Sequence, residues 1–261
     1  MYAVHHAPSP DAPLAPVVVH VHGLGVEQIT LYREEVRIAR AAAALGFPVL
    51  RVHARGHGDS AGDFADVTLD SLVEDARAAA DEARRRSGRD RVLWLGVRFG
   101  ALVAALAARG RDDGAGFVLW EPVHDPAGFF RTQLRTLLYS QVAGGMKPEA
   151  TVDELLARLE RDGRVDVFGY YLHKALVDST RGATLAAALE GAAGPVLLAQ
   201  VQSRARLAPA HARLVETLAA RGVNVATALI REEPGYQEMS NPAWESAALT
   251  AAIGRWLHAL A

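Results

Sequence analysis

The chain contains no cysteine. Disulfides, thiolate metal ligands and a cysteine nucleophile are therefore excluded. It also lacks a charge excess: 28 Lys and Arg stand against 30 Asp and Glu, a formal net charge of -2. That balance argues against a nucleic-acid binder, whose footprint is a basic surface. No apolar run approaches the ~18 residues that a spanning helix needs. The opening MYAVHHAPSPDAPLAP lacks the basic-then-apolar order of a secretory leader, so a cytoplasmic location is expected, and the Ala- and Arg-rich composition suggests a bacterial source. No glycine-rich turn has phosphate-loop or dinucleotide spacing, GLGVEQ included, and no cofactor is expected. His20 and His22 share one face of a strand, but no further His or acidic ligand follows at suitable spacing, so no metal is expected either.

What the sequence does have is alternation. Apolar, β-branched runs (16–23, 47–58, 91–95, 117–123, 195–201 and 223–230) take turns with Ala-rich stretches of helical spacing (33–46, 68–88, 100–109 and 244–260). Thr68 is placed as an N-cap. Strand–helix alternation of this kind predicts a mostly parallel sheet covered by helices on both faces. The rhythm breaks between about 126 and 190, where FFRTQLRTLLYSQVAGGM and TVDELLARLERDG read as helices, with no strong strand until DVFGYYL. Residues 1–125 and 190–261 are expected to form the core and 126–190 a largely helical cap over the carboxyl ends of the strands, where open α/β sheets bind ligands.

One junction carries chemistry. The strand VLWLG runs into LGVRFG (95–100), and the helix GALVAALAARG runs out of it. A Gly-x-x-x-Gly turn between strand and helix is where an α/β-hydrolase holds its nucleophile, in the pattern G-x-S-x-G. Here the frame is Gly96-Val97-Arg98-Phe99-Gly100, with arginine in the middle. Three more motifs follow the same order: VHVHGLG at an oxyanion loop, HARGHGDSAG as the turn after the next strand, and PVLLAQVQSRARLAP where an acid turn is expected.

Together these motifs resemble the α/β-hydrolase superfamily, in particular serine aminopeptidase-like hydrolases and thioesterases of biosynthetic clusters. GDSAGDFADVTLDSLVEDARAAA, LWLGVRFGALVAA, LWEPVHDPAGFFRTQLR and GYYL are more closely similar to the exosortase A system-associated hydrolases of type 2, a family whose elbow also carries arginine. The resemblance implies an α/β-hydrolase fold and, carried over position by position, a degenerate triad. Arg98 stands for the nucleophile and Ser203 or Arg204 for the acid. The loop expected to hold the histidine, REEPGYQEMSNPAW, contains none. A Ser-His-Asp device needs all three groups in contact.

Arg98 then has two readings. It binds an anionic or acyl ligand, assisted by the N–H groups of Leu24 or Gly25 and of Phe99, or it plugs the pocket against an internal acid, Glu121 or Asp125. His22 is expected to orient its loop, and His57 to bond its own turn. His124 with Asp125 could activate a water or a second substrate. Tyr236 and Gln237, flanked by Glu232, Glu233 and Glu238, one of which could pair with Arg98, occupy the base position. They can bind a substrate but cannot act as bases at neutral pH. Ser60 and Ser203 are poor nucleophile candidates, Ser60 being a local cap. Phe129, Phe130, Tyr139, Tyr170 and Tyr171 are expected to pack the cap on the core, one or two of them lining a pocket for a flat or acyl ligand. Two functions stay open: an acyltransferase or serine-independent hydrolase acting on a small-molecule or carrier-bound acyl substrate, and a non-catalytic accessory protein. A homodimer is compatible with either.

Overall fold

The computed structural model describes residues 1–9, 12, 14–148, 150–235 and 244–260. Seven strands form the central sheet: β1 (Tyr2–His6), β2 (Val17–Val21), β3 (Val49–His53), β4 (Val92–Val97), β5 (Gly114–Trp120), β8 (Val196–Val201) and β9 (Val225–Ile230), in the order β1-β3-β2-β4-β5-β8-β9. Every pair is parallel except β1 with β3. The predicted strands lie where the apolar runs placed them. β1 was not expected, because the proline-rich stretch after it dominates the local pattern. It is an edge strand whose pairing, Tyr2 opposite His53, comes from tertiary contact and not from its own hydrophobicity.

Strand periodicity sorts the core into two layers. Val17, Val19, Trp94, Phe117 and Leu119 face α2 (Leu69–Ser87) and α3 (Phe99–Ala108). Val18, Leu93, Leu95, Val118 and Trp120 face α1 (Glu27–Ala44) and α9 (Ala247–His258). Burial on both faces is why β4 reads as one continuous apolar run. Thr68 caps α2 as expected, in a reciprocal capping box with Ser71, and Gly88 ends that helix in the left-handed conformation. α1 starts at Glu27, not near Arg33. No side chain caps it at Val26, so the usual start signal is missing.

Between β5 and β8 the chain builds α4 (Pro126–Ala143), α5 (Val152–Asp162), a hairpin of β6 (Arg164–Val167) and β7 (Tyr170–His173), α6 (Lys174–Ser179) and α7 (Leu185–Ala188). The strand expected at DVFGYYL is present, split into the two arms of this hairpin. Phe168 at its tip takes a φ of 59°, which no local sequence signal announces. Phe129 and Phe130 of α4 pack on Phe99, with ring centroids 5.5 and 5.9 Å away, and so seat this connection directly over the elbow. α8 (Pro209–Ala220) links β8 to β9.

Candidate functional site at the elbow

Between β4 and α3 the backbone makes a sharp turn in which Arg98 adopts φ 53° and ψ -118°. A non-glycine residue held there costs about 1–3 kcal/mol and persists only where its surroundings enforce it. The enforcement is visible. Arg98 N–H donates to the Trp120 carbonyl at 2.9 Å, and the Arg98 carbonyl accepts from Val123 at 3.1 Å. A Cβ on Gly100 would stand 2.2 Å from the His22 carbonyl oxygen, and one on Gly96 would stand 2.4 Å from Ala101 Cα. Both elbow glycines are therefore required by packing. The turn has the geometry of a nucleophile elbow with a cation on it.

The Arg98 guanidinium does not hang free in the pocket. Its Nε donates to Glu27 Oε1 at 2.9 Å and its Nη1 to the Glu121 carbonyl at 3.1 Å. Glu27 stands on the first turn of α1. It is packed so closely that a Cβ on Gly23 would lie 2.9 Å from Glu27 Cβ. Gln133 of α4 donates to the same carboxylate oxygen at 3.2 Å. Burial pushes the Glu27 carboxyl above its ordinary value, while Arg98 and the Gln133 and Leu24 contacts pull the other way.

Two of the acids considered for Arg98, Glu121 and Asp125, are held elsewhere. Glu121, with φ 46°, accepts the Val201 N–H on its side chain at 2.6 Å and so ties β5 to β8, although its carbonyl does meet Arg98. Asp125 caps α4 through the N–H groups of Ala127 and Gly128. Glu27 was missed because α1 starts earlier than its pattern suggests. The available signal was an acid four residues after the His22-Gly23 loop.

The other candidates fall into place around this pair. Leu24 and Gly25 lie in the loop after β2, and their carbonyls accept the N–H groups of Glu27 and Gln28. Phe99 is fully buried at the start of α3. His22 is buried and bonds Glu35 through Nδ1. His57 bonds the Arg55 carbonyl at 3.2 Å, as expected of a turn histidine. Ser60 donates to the His53 carbonyl and accepts from Tyr2 N–H, a structural role. Ser203 and Arg204 are exposed beyond β8. Tyr236, Gln237 and Glu238 lie outside the described residues.

His124 packs against His211 of α8, with ring centroids 4.9 Å apart and the rings tilted by 56°. Burial holds both imidazoles down to about 4, helped by Arg213 and Arg98 at His124 and by His124 at His211. The sequence reading did not single out His211, since a lone histidine in a helix carries no motif.

Two small cavities flank the elbow. One, about 40 Å³, is lined by Leu24, Phe64, Phe129, Phe130, Tyr170 and Leu172 among others. The other, also about 40 Å³, lies under the loop after β2 against His22, His53, His57, Phe99 and Val103. Ligand sites usually offer ~300 Å³ or more, so the space beside the elbow is largely filled.

A family model, Serine aminopeptidase, S33, matches residues 12–194, more than half of the chain. The chain belongs to the serine aminopeptidase S33 family. Solved α/β-hydrolases share its architecture. Est1E from Butyrivibrio proteoclasticus, solved with ferulic acid bound, superposes with a TM-score of 0.70 at 20% identity, covering 98% of this chain and 93% of that one. An esterase from Pyrococcus furiosus gives 0.62 at 16% identity over 99% and 90%. Mouse alpha/beta hydrolase domain-containing protein 10 gives 0.60 at 13% over 99% and 94%. At these identities the likeness is one of fold, which is the α/β-hydrolase fold. No curated protein matches the sequence. Within this serine aminopeptidase family, the chain presents an arginine where the elbow's apex projects its side chain.

Proposed function

We propose that this chain is a non-catalytic member of the family, an accessory or ligand-binding protein of a biosynthetic pathway. The observation that carries the reading is the Arg98–Glu27 pair, which fills the place of a nucleophile and neutralises the cation put there. An unpaired guanidinium would favour an anionic ligand. A guanidinium already answered by a buried carboxylate favours the plug. The reading includes a degenerate triad, with exposed Ser203 and Arg204 at the acid turn, and a cap of residues 126–190 over a core of 1–125 and 190–261. It is also in keeping with the elbow arginine of the exosortase-associated subtype.

The ligand class that suits the remaining space is a flat, apolar acyl or aryl group, free or on a carrier. The slot beside Glu27 is walled by Phe129, Phe130 and Tyr170, with Gln133 as a polar group at its edge. Ferulic acid, bound by Est1E, has this shape. Entry requires the aromatic wall to move, since a slot of about 40 Å³ is too small for such a ring.

The test combines two measurements. A fluorophosphonate probe is expected to leave the protein unlabelled, and nitrophenyl esters to turn over no faster than a heat-denatured control. Calorimetric titration with phenylpropenoic acids and acyl-pantetheines is expected to find binding that survives Arg98→Ala. Stoichiometric serine labelling with turnover overturns the non-catalytic reading, and loss of binding in Arg98→Ala overturns the plug.

A further inference from the structure

On the opposite face of β2 from that slot lies a second polar cluster, unrelated to the elbow's ion pair. His20 near the end of β2 and His22 just beyond it face α1 through Glu35. Glu35 of α1 comes down on them. It follows Leu31 by one turn and precedes Ile38, so it stands in the helix's buried stripe where an apolar residue would ordinarily be. The side chains of His20, His22 and Glu35 are 1%, 5% and 0% exposed.

Most of this cluster's hydrogen-bonding capacity is unused. His22 Nδ1 bonds one Glu35 oxygen, and His20 Nε2 stands 3.9 Å from the other. Both ring nitrogens of His20, Nε2 of His22 and Oε1 of Glu35 have no hydrogen-bond partner among the described residues. Each such orphan costs about 1–3 kcal/mol when buried. Arg51, opposite His20 in register on β3, does not answer the carboxylate. Its guanidinium lies 4.6 Å over the Tyr32 ring, and its Nε and Nη2 are also unpartnered. One donor atom from each of His20, His22 and Glu35 falls within 4.8 Å of the others. A metal requires both imidazoles in their neutral form.

We propose that His20, His22 and Glu35 bind one divalent first-row transition-metal ion, of the zinc type. Two imidazoles and a carboxylate without sulfur are a donor set for such ions and a poor one for calcium or magnesium. Metal–ligand bonds of about 2.0–2.2 Å need only modest side-chain rotation to draw these atoms together. His53, whose ring centroid lies 5.2 Å from that of His22, offers a further imidazole. The ion satisfies several buried orphans at once. Because the His22 carbonyl abuts Gly100, it also braces the loop on which the elbow rests. The site is structural, and its existence does not depend on what the elbow does.

The experiment uses the tag-free full chain, stripped with a chelator and titrated with Zn²⁺ against a chromophoric competitor. Co²⁺ absorption reports coordination, and thermal unfolding reports the linked stability. The wild type is expected to bind one ion per chain and melt at a higher temperature when loaded. His20→Ala and the near-isosteric Glu35→Gln are expected to weaken binding by roughly 100-fold or more, at or beyond the loss typical of outer-shell changes. Changing the exposed His258 to Ala is expected to leave it unchanged. Circular dichroism on each variant separates lost binding from lost folding, and Glu35→Gln carries the test if His20→Ala does not fold. A wild type that takes up no ion, or a folded variant of the cluster with undiminished affinity, overturns the proposal.

Discussion

The elbow and the turn after β8 are the two places where this family's architecture would put a nucleophile and its orienting acid, and the structure treats them oppositely. The elbow is buried, strained at φ 53° and walled by glycines that permit no Cβ. The turn after β8 is open, with Ser203, Arg204, Ala205 and Arg206 all exposed. Geometry at the elbow is dictated by the packing of β4, α3 and β2, which must hold whatever residue stands at its apex. The turn after β8 makes no such packing demand, and its side chains can change freely. The shape of the elbow is therefore set by packing and does not depend on the residue at its apex.

Substitutions sharpen that contrast, and the largest effect is expected at the elbow's glycine. Gly100→Ala must displace the His22 and Val21 carbonyls, and is expected to lose ~4 kcal/mol or more in urea unfolding, at the severe end for single changes. A loss under ~1 kcal/mol would show that the elbow is more pliant than its contacts indicate.

Arg98→Ala comes next. It strands Glu27 without its cation, and about 2–4 kcal/mol of destabilisation is expected, the lower part of that range reflecting the partial exposure of Arg98. The double variant Arg98→Ala with Glu27→Gln should recover much of this. If it does not, the pair is not what holds the two side chains there. Arg98→Ser, even combined with Ser203→Asp, is expected to show no esterase activity.

Acid provides the third test. Burial lowers His53, His124 and His211 to about 4 from an ordinary 6.5. The unfolded chain binds protons more readily than the folded one at these positions. Their contribution is therefore fully present above pH 6.5 and is lost as pH falls from there towards 4. Unfolding midpoints measured across that window should fall with acidity, and His211→Phe should flatten part of the slope. An unchanged slope would mean that His211 is not buried in its neutral form. The smallest effect belongs to the open turn: Ser203→Ala is expected to alter stability by less than ~0.5 kcal/mol.

The sequence made the fold legible because strand and helix periodicity repeat over the whole chain, and because glycine spacing at 96 and 100 reports a steric need. It did not reveal β1, whose place depends on the β3 edge, nor that DVFGYYL folds into two strands, turned by the left-handed pair Phe168 and Gly169. The turn that carries Arg98 was legible, because its motif is local. Glu27, Gln133, His211 and Glu35 were not, since each reaches its partner from a helix whose facing depends on packing and not on spacing. Glu35 shows the difficulty most clearly. In sequence it is one acid among the charges of α1, and only the register of that helix on β2 turns it inward.

The single hydrogen bond from Gln133 to Glu27 has a thermodynamic consequence. It joins α4 to a carboxyl whose ionisation is already disfavoured by burial. A displacement of α4 that breaks this bond must make Glu27 harder to ionise. By reciprocity, protonating Glu27 must weaken the hold on α4 by the same free energy. The position of the helix above the elbow and the charge beneath it are therefore conjugate variables, and each can be read by perturbing the other.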